Sequence, residues 1–223
     1  MKKQFAVIGL GGFGQSVAQE LMRLGHEVLG VDVSEERANH MSDKLTQTVI
    51  VDATDEDALG ELNLKRFDAV LIAIGENIEA SILCTMAVKT LEAREVWVKA
   101  ITPVHHQIVE KLGASRIFHP EFEMGLRIAQ TMAHPNMLDY ISLGDDFFVI
   151  EIRPGEVLED RPVSDLKVEK SNVQLLAIKH GQEVTLRPSP DSLLRRTDHL
   201  LFVGEHLSVV LFSDNLRQAC LQS

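Results

Sequence analysis

The sequence has little of several things, and each shortage argues against a class of protein. Its two cysteines, Cys84 and Cys220, lie far apart without a metal-binding spacing, which indicates ordinary thiols in a reducing cytosol. No apolar run approaches the roughly 20 residues that cross a bilayer. Residues 1–4 lead straight into a predicted strand, so we expect no signal peptide. Basic residues number 22 against 33 acidic ones, and the net charge of −11 argues against nucleic acid or an anionic membrane surface.

What the sequence does have is a glycine-rich turn between a strand and a helix. The apolar residues 5–8 are followed by the glycine motif of residues 9–14, and then by a helical pattern that ends at Gly25. A second apolar run ends in Asp32, 18 residues past the last glycine of the motif. This order and spacing are typical of a dinucleotide-binding βαβ unit.

Each residue of this unit has a predicted task. Gly9 makes the tight turn, Gly11 lets a pyrophosphate approach the backbone, and Gly14 lets the helix pack close to the strand. The helix N-terminus favours phosphate through its free N–H groups. Asp32 would accept hydrogen bonds from the ribose hydroxyls and would repel a 2′-phosphate, which disfavours NADP.

Strands and helices keep alternating up to about residue 132. Six predicted strands, each followed by a helix, indicate an α/β fold with a doubly wound parallel (Rossmann) sheet. Ligands bind such sheets at the carboxyl ends of the strands. The strand ends therefore predict a site formed by Gly9 to Gly14, Asp32, Asp52, Ile74 to Glu76, Lys99 and Glu121. Thr54 is predicted to cap the helix after the third strand.

Beyond residue 134 short strands separated by turns replace the alternation. We predict strands at 147–152, 173–178, 184–186 and 199–203, with helices at 162–166 and 206–212. The chain thus divides into a Rossmann nucleotide-binding domain, residues 1–135, and a second, smaller α+β domain, residues 136–223. The second domain offers few strands for a substrate pocket.

Several motifs at fixed relative positions carry a family resemblance. They are FAVIGLG (5–11), AIGEN (73–77), WVKA (97–100), KLGA (111–114) and HPE (119–121), followed by LAIK (176–179) and DHLLFVG (198–204). Together they resemble the regulator-of-potassium-conductance (RCK) domains of the Ktr and Trk potassium uptake systems, over nearly the whole chain. The two predicted domains would be the RCK N-terminal domain and the small regulatory C-terminal domain of such proteins.

The resemblance implies a cytosolic regulatory subunit without chemistry of its own. Such subunits form dimers, and octameric rings in Ktr systems, and lie peripherally on the inner face of the cell membrane beneath a potassium transporter. ATP, ADP or NAD(H) in the first domain changes the shape of the ring and so gates transport. Two alternatives stay open: an NAD-dependent oxidoreductase, which needs an acid–base residue beside the nicotinamide, and an adaptor with a vestigial nucleotide fold.

The resemblance also implies a full set of nucleotide contacts. These are Gly9, Gly11, Gly12, Phe13, Gly14, Asp32, Val33, Asp52, Ala53, Ile74, Gly75, Glu76, Lys99, His105 and Glu121. Lys99 would bind phosphate, and Glu121 would hold Mg²⁺ or Ca²⁺ near the terminal phosphate. Many Ktr regulators carry Arg in place of Gly12, so the choice between ATP and ADP stays open. The Arg195-Arg196 pair is the only local positive charge for a second ligand such as c-di-AMP.

Two further groups have competing interpretations. Adjacent residues on a helix do not face each other, which argues against a metal site formed by His105 and His106. Both are instead predicted to be partly exposed, with one of them touching the nucleotide. An apolar stripe of Met124, Ile128, Met132 and Leu138 exceeds what a linker helix needs. The resemblance places the dimer contact on this helix, which favours a subunit interface over burial within one chain.

Overall fold

The computed structural model describes residues 1–134, 137–153, 158–168 and 171–221, with side chains as far as residue 216. Contacts divide the chain into two compact units, Met1–Glu121 and Phe122–Ser223. The predicted domain boundary between residues 135 and 136 lies outside the described residues. The division by contacts instead falls within a long helix, Pro120–Ala133.

The first unit is built on one six-stranded sheet. Its strands are β1 (Gln4–Ile8), β2 (Glu27–Asp32), β3 (Gln47–Ile50), β4 (Ala69–Ile72), β5 (Val96–Lys99) and β6 (Arg116–Phe118). Its helices are α1 (Gly12–Arg23), α2 (Glu35–Met41), α3 (Glu56–Gly60), α4 (Ile78–Thr90) and α5 (Pro103–Lys111). The strands run in the order β3-β2-β1-β4-β5-β6, and every pairing is parallel. The predicted Rossmann sheet is confirmed.

Both faces of this sheet are buried along its central strands, which explains why β4 is apolar throughout and β1 almost so. In β1, Ala6 and Ile8 pack into one hydrophobic cluster, whereas Val7 between them packs into another. Every residue of β4 is buried. Strands covered by helices on both faces lose the alternation of polar and apolar residues that a half-exposed strand shows.

The turn from β1 into α1 depends on two glycines. Gly9 has a φ of +96°, and a Cβ there would lie 3.0 Å from the backbone of Ala73. A Cβ at Gly14 would lie 1.9 Å from the carbonyl oxygen of Gly9. The close packing of helix on strand that was predicted for Gly14 is therefore present, and it brings the start of α1 to the edge of the sheet.

The prediction that Thr54 caps α3 is wrong. The N-cap is Asp55, whose side chain accepts the N–H of Ala58. Thr54 instead donates both its N–H and its hydroxyl to Asp52. An aspartate is as good an N-cap as a threonine, so two adjacent candidates could not be separated by type alone.

The second unit contains a five-stranded antiparallel sheet. Its strands are β7 (Met137–Gly144), β8 (Phe147–Ile152), β9 (Val173–His180), β10 (Glu183–Leu186) and β11 (His199–Glu205), and its helices are α6 (Pro120–Ala133), which begins in the first unit, and α7 (His206–Leu221). The strand order is β10-β9-β11-β8-β7. A short 3-10 helix, Val163–Leu166, precedes β9. The second, smaller α+β domain is confirmed, although it is richer in strands than predicted.

Strand β7 was missed by the sequence reasoning, and Leu138 was assigned to the helical stripe that it does not join. The pairing of β7 with β8 shifts register between Met137 and Asp139. Such a bulge breaks the period of two by which strands are recognised, because one extra residue moves the following side chains to the other face. Helix α7 also continues beyond Phe212, its predicted end.

None of the described helices combines the length and apolar character needed to span a membrane.

The close approach at Gly14 leads to a stability prediction. We expect Gly14→Ala to lower the free energy of unfolding by at least about 2 kcal/mol, since the new methyl group meets backbone that cannot rotate away. Gly12→Ala on the same helix turn is the control, because a Cβ there meets nothing within 4 Å. Urea denaturation measures both variants. Equal stability of the two would contradict the packing argument.

Candidate functional site

The carboxyl ends of the parallel strands surround a cavity of about 620 Å³. The predicted site residues that line it are Gly9, Gly11, Gly12, Phe13, Asp32, Val33, Asp52, Ala53, Ile74, Gly75, Glu76, Lys99 and Glu121. Of the predicted set, Gly14 and His105 do not line the cavity. Residues that sequence reasoning did not include are Ile8, Val31, Arg37, Val51, Thr54, Ala73, Asn77 and Ala80.

His105 is wholly buried, so the prediction that it is partly exposed is wrong. Its Nδ1 accepts the backbone N–H of Ile101 at 3.3 Å, while its Nε2 has no hydrogen-bond partner. Burial, and then the charge of His119, holds the pKa of His105 below its usual value. A neutral ring is required for the bond from Ile101, because only an unprotonated Nδ1 can accept.

Helical geometry predicted that His106 would not pair with His105, and its ring contacts His119 instead. It lies parallel to the ring of His119, with 2.8 Å between Nδ1 of His106 and Nε2 of His119. Within the part of the chain that the structure describes, no three His, Cys, Asp or Glu side chains form a group suited to a metal ion.

Asp32, at the end of β2, is the most heavily hydrogen-bonded group of the cavity. Only 4% of the residue is exposed. Its carboxylate accepts the N–H of Leu10 at 2.6 Å and the N–H of Ser34 at 2.8 Å. It also pairs with Arg37, whose Nε lies 3.1 Å from both carboxylate oxygens. The acid thus ties the glycine turn to the start of α2.

Arg37 is the cavity residue with the clearest signal that sequence reasoning passed over. It lies five residues after Asp32, and its own backbone N–H is accepted by the Ser34 N-cap. The first turn of a helix that begins three residues after a strand ends stays near the end of that strand. A cation at this spacing could therefore have been assigned to the same edge as the acid.

Lys99 ends β5 and places a buried cation beside the glycine-rich turn. It forms an ion pair with Glu121 and lies 5.7 Å from the centre of the Phe13 ring. A Cβ on Gly75 would lie 2.8 Å from its Nζ, so this glycine leaves room for the lysine. Burial raises the pKa of Glu121, but hydrogen bonds from Lys99 and a backbone N–H, with the charge of Lys99, bring it below its usual value.

Asp52, just past the end of β3, adds a third carboxylate. The N–H and the hydroxyl of Thr54 lie 2.9 and 2.8 Å from its Oδ1, and they hold its pKa below the usual range. Asn77 caps α4 on the opposite half of the sheet by accepting the N–H of Ala80. Polar groups from both halves of the sheet therefore meet at the cavity, between apolar walls that include Val31 and Ile74.

This arrangement has the chemistry of a nucleotide site. The carboxylate of Asp32 suits a sugar diol, and the start of α1 offers backbone N–H groups with roughly half a positive charge. Lys99 supplies a full positive charge on the same side as Phe13. Such a cavity can bind a sugar and a phosphate at once, because the acid and the cation come from different strands.

Burial of a neutral His105 predicts a pH effect on stability. Below about pH 6.5, the ordinary histidine pKa, the unfolded chain binds a proton that folded His105 resists. The free energy of unfolding therefore falls as pH decreases through that value toward the lowered folded pKa. We expect His105→Gln to lose less stability than the wild type between about pH 7.5 and about pH 5.5, which lie roughly one unit above and below the ordinary histidine pKa.

Urea denaturation at both pH values tests this expectation. His40→Gln, which removes an exposed imidazole from α2, is the control and should lose as much stability as the wild type. An unaltered loss in His105→Gln would show that other groups carry the pH dependence.

Comparison with known proteins agrees with both units. Residues 5–120 match the TrkA-N domain and residues 147–209 match the TrkA-C domain. The chain is 43% identical to Ktr system potassium uptake protein A of Bacillus subtilis, over 95% of this chain and 96% of that protein. It is 38% identical to Ktr system potassium uptake protein C of the same organism, over the same shares of each.

Among solved structures, the GsuK channel bound to NAD resembles the fold with a TM-score of 0.65 at 12% identity. The match covers 97% of this chain but only 40% of that longer chain. The domain matches and the two close relatives together show that the chain belongs to the TrkA-N/TrkA-C family, which includes the Ktr system potassium uptake proteins.

Proposed function

We propose that the chain is a cytosolic regulatory subunit that gates a membrane potassium transporter in response to an adenine nucleotide. The observation that carries this proposal is the cavity, which gathers Asp32, Lys99 and the glycine turn in a chain 43% identical to a Ktr potassium uptake protein. The relatives are potassium uptake proteins, which favours this function over an NAD-dependent oxidoreductase. The subunit would bind the nucleotide without converting it.

The ligand would lie across the strand ends with its ribose at Asp32. Its phosphates would face the start of α1 and Lys99, and Asp52 would contact the ribose or the adenine amino group. ADP, ATP and NAD(H) share the adenosine that this arrangement recognises. GsuK, which shares the fold, is described as bound to NAD. Gly12 supplies no positive charge for the third phosphate of ATP. The cavity therefore has the groups that ADP needs.

Two predicted site residues would act from outside the lining. Gly14 would hold the start of α1 against Gly9, because a side chain there would push the helix away. His105 would support the end of β5 through its bond to Ile101. Neither residue needs to touch the nucleotide for this role.

A divalent ion would need ligands from the nucleotide itself. Glu121 is a single carboxylate, and the described residues hold no group of three protein ligands. Mg²⁺ commonly binds through one or two carboxylates together with phosphate oxygens, so the cavity fits an ion shared with a phosphate. A phosphate that drew Lys99 toward itself would release Glu121 for that ion.

Gating would proceed by a shift between assembly states. A ligand changes such an equilibrium only if it binds the states with different affinity. On α6, Met124, Ile128 and Met132 are at least half exposed, and we propose that this face pairs two subunits within a dimer and an octameric ring. The ring would lie on the inner face of the membrane against the transporter.

The predicted second domain, residues 136–223, would serve as the regulatory domain. A cyclic dinucleotide such as c-di-AMP stays a prediction for this unit, with Arg195 and Arg196 as its local positive charges.

A panel of nucleotides tests the function directly. We expect ADP, ATP or NADH to raise the unfolding free energy of the full chain by about 2.7 kcal/mol at 100 times Kd, with NADPH weaker because Asp32 repels a 2′-phosphate. Thermal shift and light scattering report binding and assembly state together. Steady NADH oxidation with a small substrate would indicate an enzyme, and indifference to every nucleotide would indicate an adaptor.

Among the cavity residues, we expect substitution of Asp32 to weaken nucleotide binding most. We expect Asp32→Ala to weaken ADP binding by about 10- to 100-fold, because bonds from the ribose hydroxyls to a charged acceptor are lost. Asp43→Ala removes an exposed acid outside the cavity and should bind like the wild type. Calorimetric titration gives both constants, and circular dichroism confirms that the variants are folded. Undiminished affinity in Asp32→Ala would disprove the ribose assignment.

Glu121 should matter only when a divalent ion is present. We expect Mg²⁺ or Ca²⁺ to tighten ATP binding to the wild type by several-fold and to have no effect on Glu121→Gln. Titration of each protein with ATP, with the ion or with excess chelator, measures the difference. Equal ion dependence in the two proteins would place the ion elsewhere.

A further inference from the structure

Arg37 occupies the carboxylate that the proposed function assigns to the ribose. Its Nε lies 3.1 Å from each oxygen of Asp32, and its Nη2 lies 3.0 Å from Oδ1. The Asp32 side chain is 3% exposed, whereas that of Arg37 is 36% exposed. The ion pair therefore joins a buried acid to a side chain that is about one-third exposed at the cavity wall.

The hydrogen bonds of Asp32 leave no room for a further donor. A carboxylate offers about four lone-pair sites, two on each oxygen. Leu10 N–H takes one on Oδ2 and Ser34 N–H takes one on Oδ1. These two donors are backbone groups of the glycine turn and of the approach to α2, so they cannot leave. Arg37 fills what remains on both oxygens.

A ribose diol therefore competes with Arg37 and with no other donor. Both hydroxyls need an oxygen of Asp32, and the guanidinium must first turn away to free them. The displaced guanidinium would still be near other carboxylates. Hydrogen bonding to Asp32 raises the pKa of Arg37 most, and the charges of Glu76 and Glu36 raise it further, so two other carboxylates act on the same guanidinium.

We propose that Arg37 is a latch on Asp32 that must open before an adenosine nucleotide can bind. The inference rests on the proposed nucleotide site and adds to it a closed state. With a latch, the apparent Kd equals the intrinsic Kd divided by the fraction of molecules in which Arg37 is open. Any contact between subunits or with the transporter that changed this fraction would change the nucleotide affinity without touching the nucleotide.

Whether nucleotide affinity rises or falls when Arg37 is replaced by an uncharged residue distinguishes a latch from a simple electrostatic contribution. Removal of a cation from the cavity wall should weaken the binding of an anionic nucleotide through Coulomb's law. Removal of a latch should strengthen it. The gain should also depend on the sugar, because a ligand without hydroxyls does not need Asp32 to be free.

The experiment compares Arg37→Gln with the wild type as full-length chains. Calorimetric titration at one ionic strength uses ADP and 2′,3′-dideoxy-ADP as ligands. We expect Arg37→Gln to bind ADP about tenfold more tightly, or about 1.4 kcal/mol, and to bind the dideoxy compound no more tightly than the wild type does.

A matched control is available on α1. Arg23 pairs with Glu20 through Nε at 2.7 Å and Nη2 at 2.5 Å, outside the cavity. Arg23→Gln removes the same charge and the same fork of hydrogen bonds, and should bind ADP like the wild type. Arg37→Lys is the second variant should Arg37→Gln fold poorly. It keeps the charge but not the planar fork, so a smaller gain in ADP affinity is expected.

The other outcomes overturn the latch. Equal or weaker binding of ADP by both Arg37 variants, with clear binding by the wild type, would make Arg37 a bystander or a ligand contact and leave the nucleotide site intact. An equal gain for both ligands would show that the sugar hydroxyls do not compete with Arg37. No binding of ADP by the wild type or any variant would instead remove the nucleotide site itself, and the latch with it.

Discussion

The site depends on how closely two stretches of backbone approach each other. The position of a Cβ on Gly14 lies 1.9 Å from the carbonyl oxygen of Gly9, a distance that only the absence of a side chain permits. Because α1 begins at Gly12, this contact places the first N–H groups of the helix at the edge of the sheet. Any other residue at position 14 would move the helix start, and with it the part of the cavity that suits phosphate.

Four of the charged groups around the cavity form two ion pairs. Asp32 pairs with Arg37, and Lys99 pairs with Glu121. A charge held near an apolar wall is unfavourable without a partner, so these pairs keep an open cavity stable. Under the proposed function, ligand binding would be an exchange of partners, since a ribose would replace Arg37 and a phosphate would compete with Glu121 for Lys99. Such an exchange would couple nucleotide occupancy to the position of α2 and to the start of α6, as the proposed regulation requires.

Much of the fold and most of the cavity lining were predictable, for identifiable reasons. Parallel strands buried on both faces are continuous apolar runs, and their carboxyl ends share one edge, so Asp32, Asp52 and Lys99 could be placed together before any coordinates were known. Strand β7 was not predictable, because its bulge hides the alternation. His105 follows β5 closely, but its ring is buried rather than turned to the cavity, and only packing against neighbouring elements decides which way a ring on a helix points.

The sequence by itself determined the Rossmann topology, the smaller second domain and the residues at the strand ends, because periodicity and chain order are local properties. Only the tertiary structure decided which of those residues are bound to one another. The engagement of Asp32 by Leu10, Ser34 and Arg37 joins the β1–α1 turn to the β2–α2 connection. Leu10 lies 22 residues from Asp32 along the chain, so its bond to the carboxylate depends on how the two segments pack, and spacing along the chain carries no record of that.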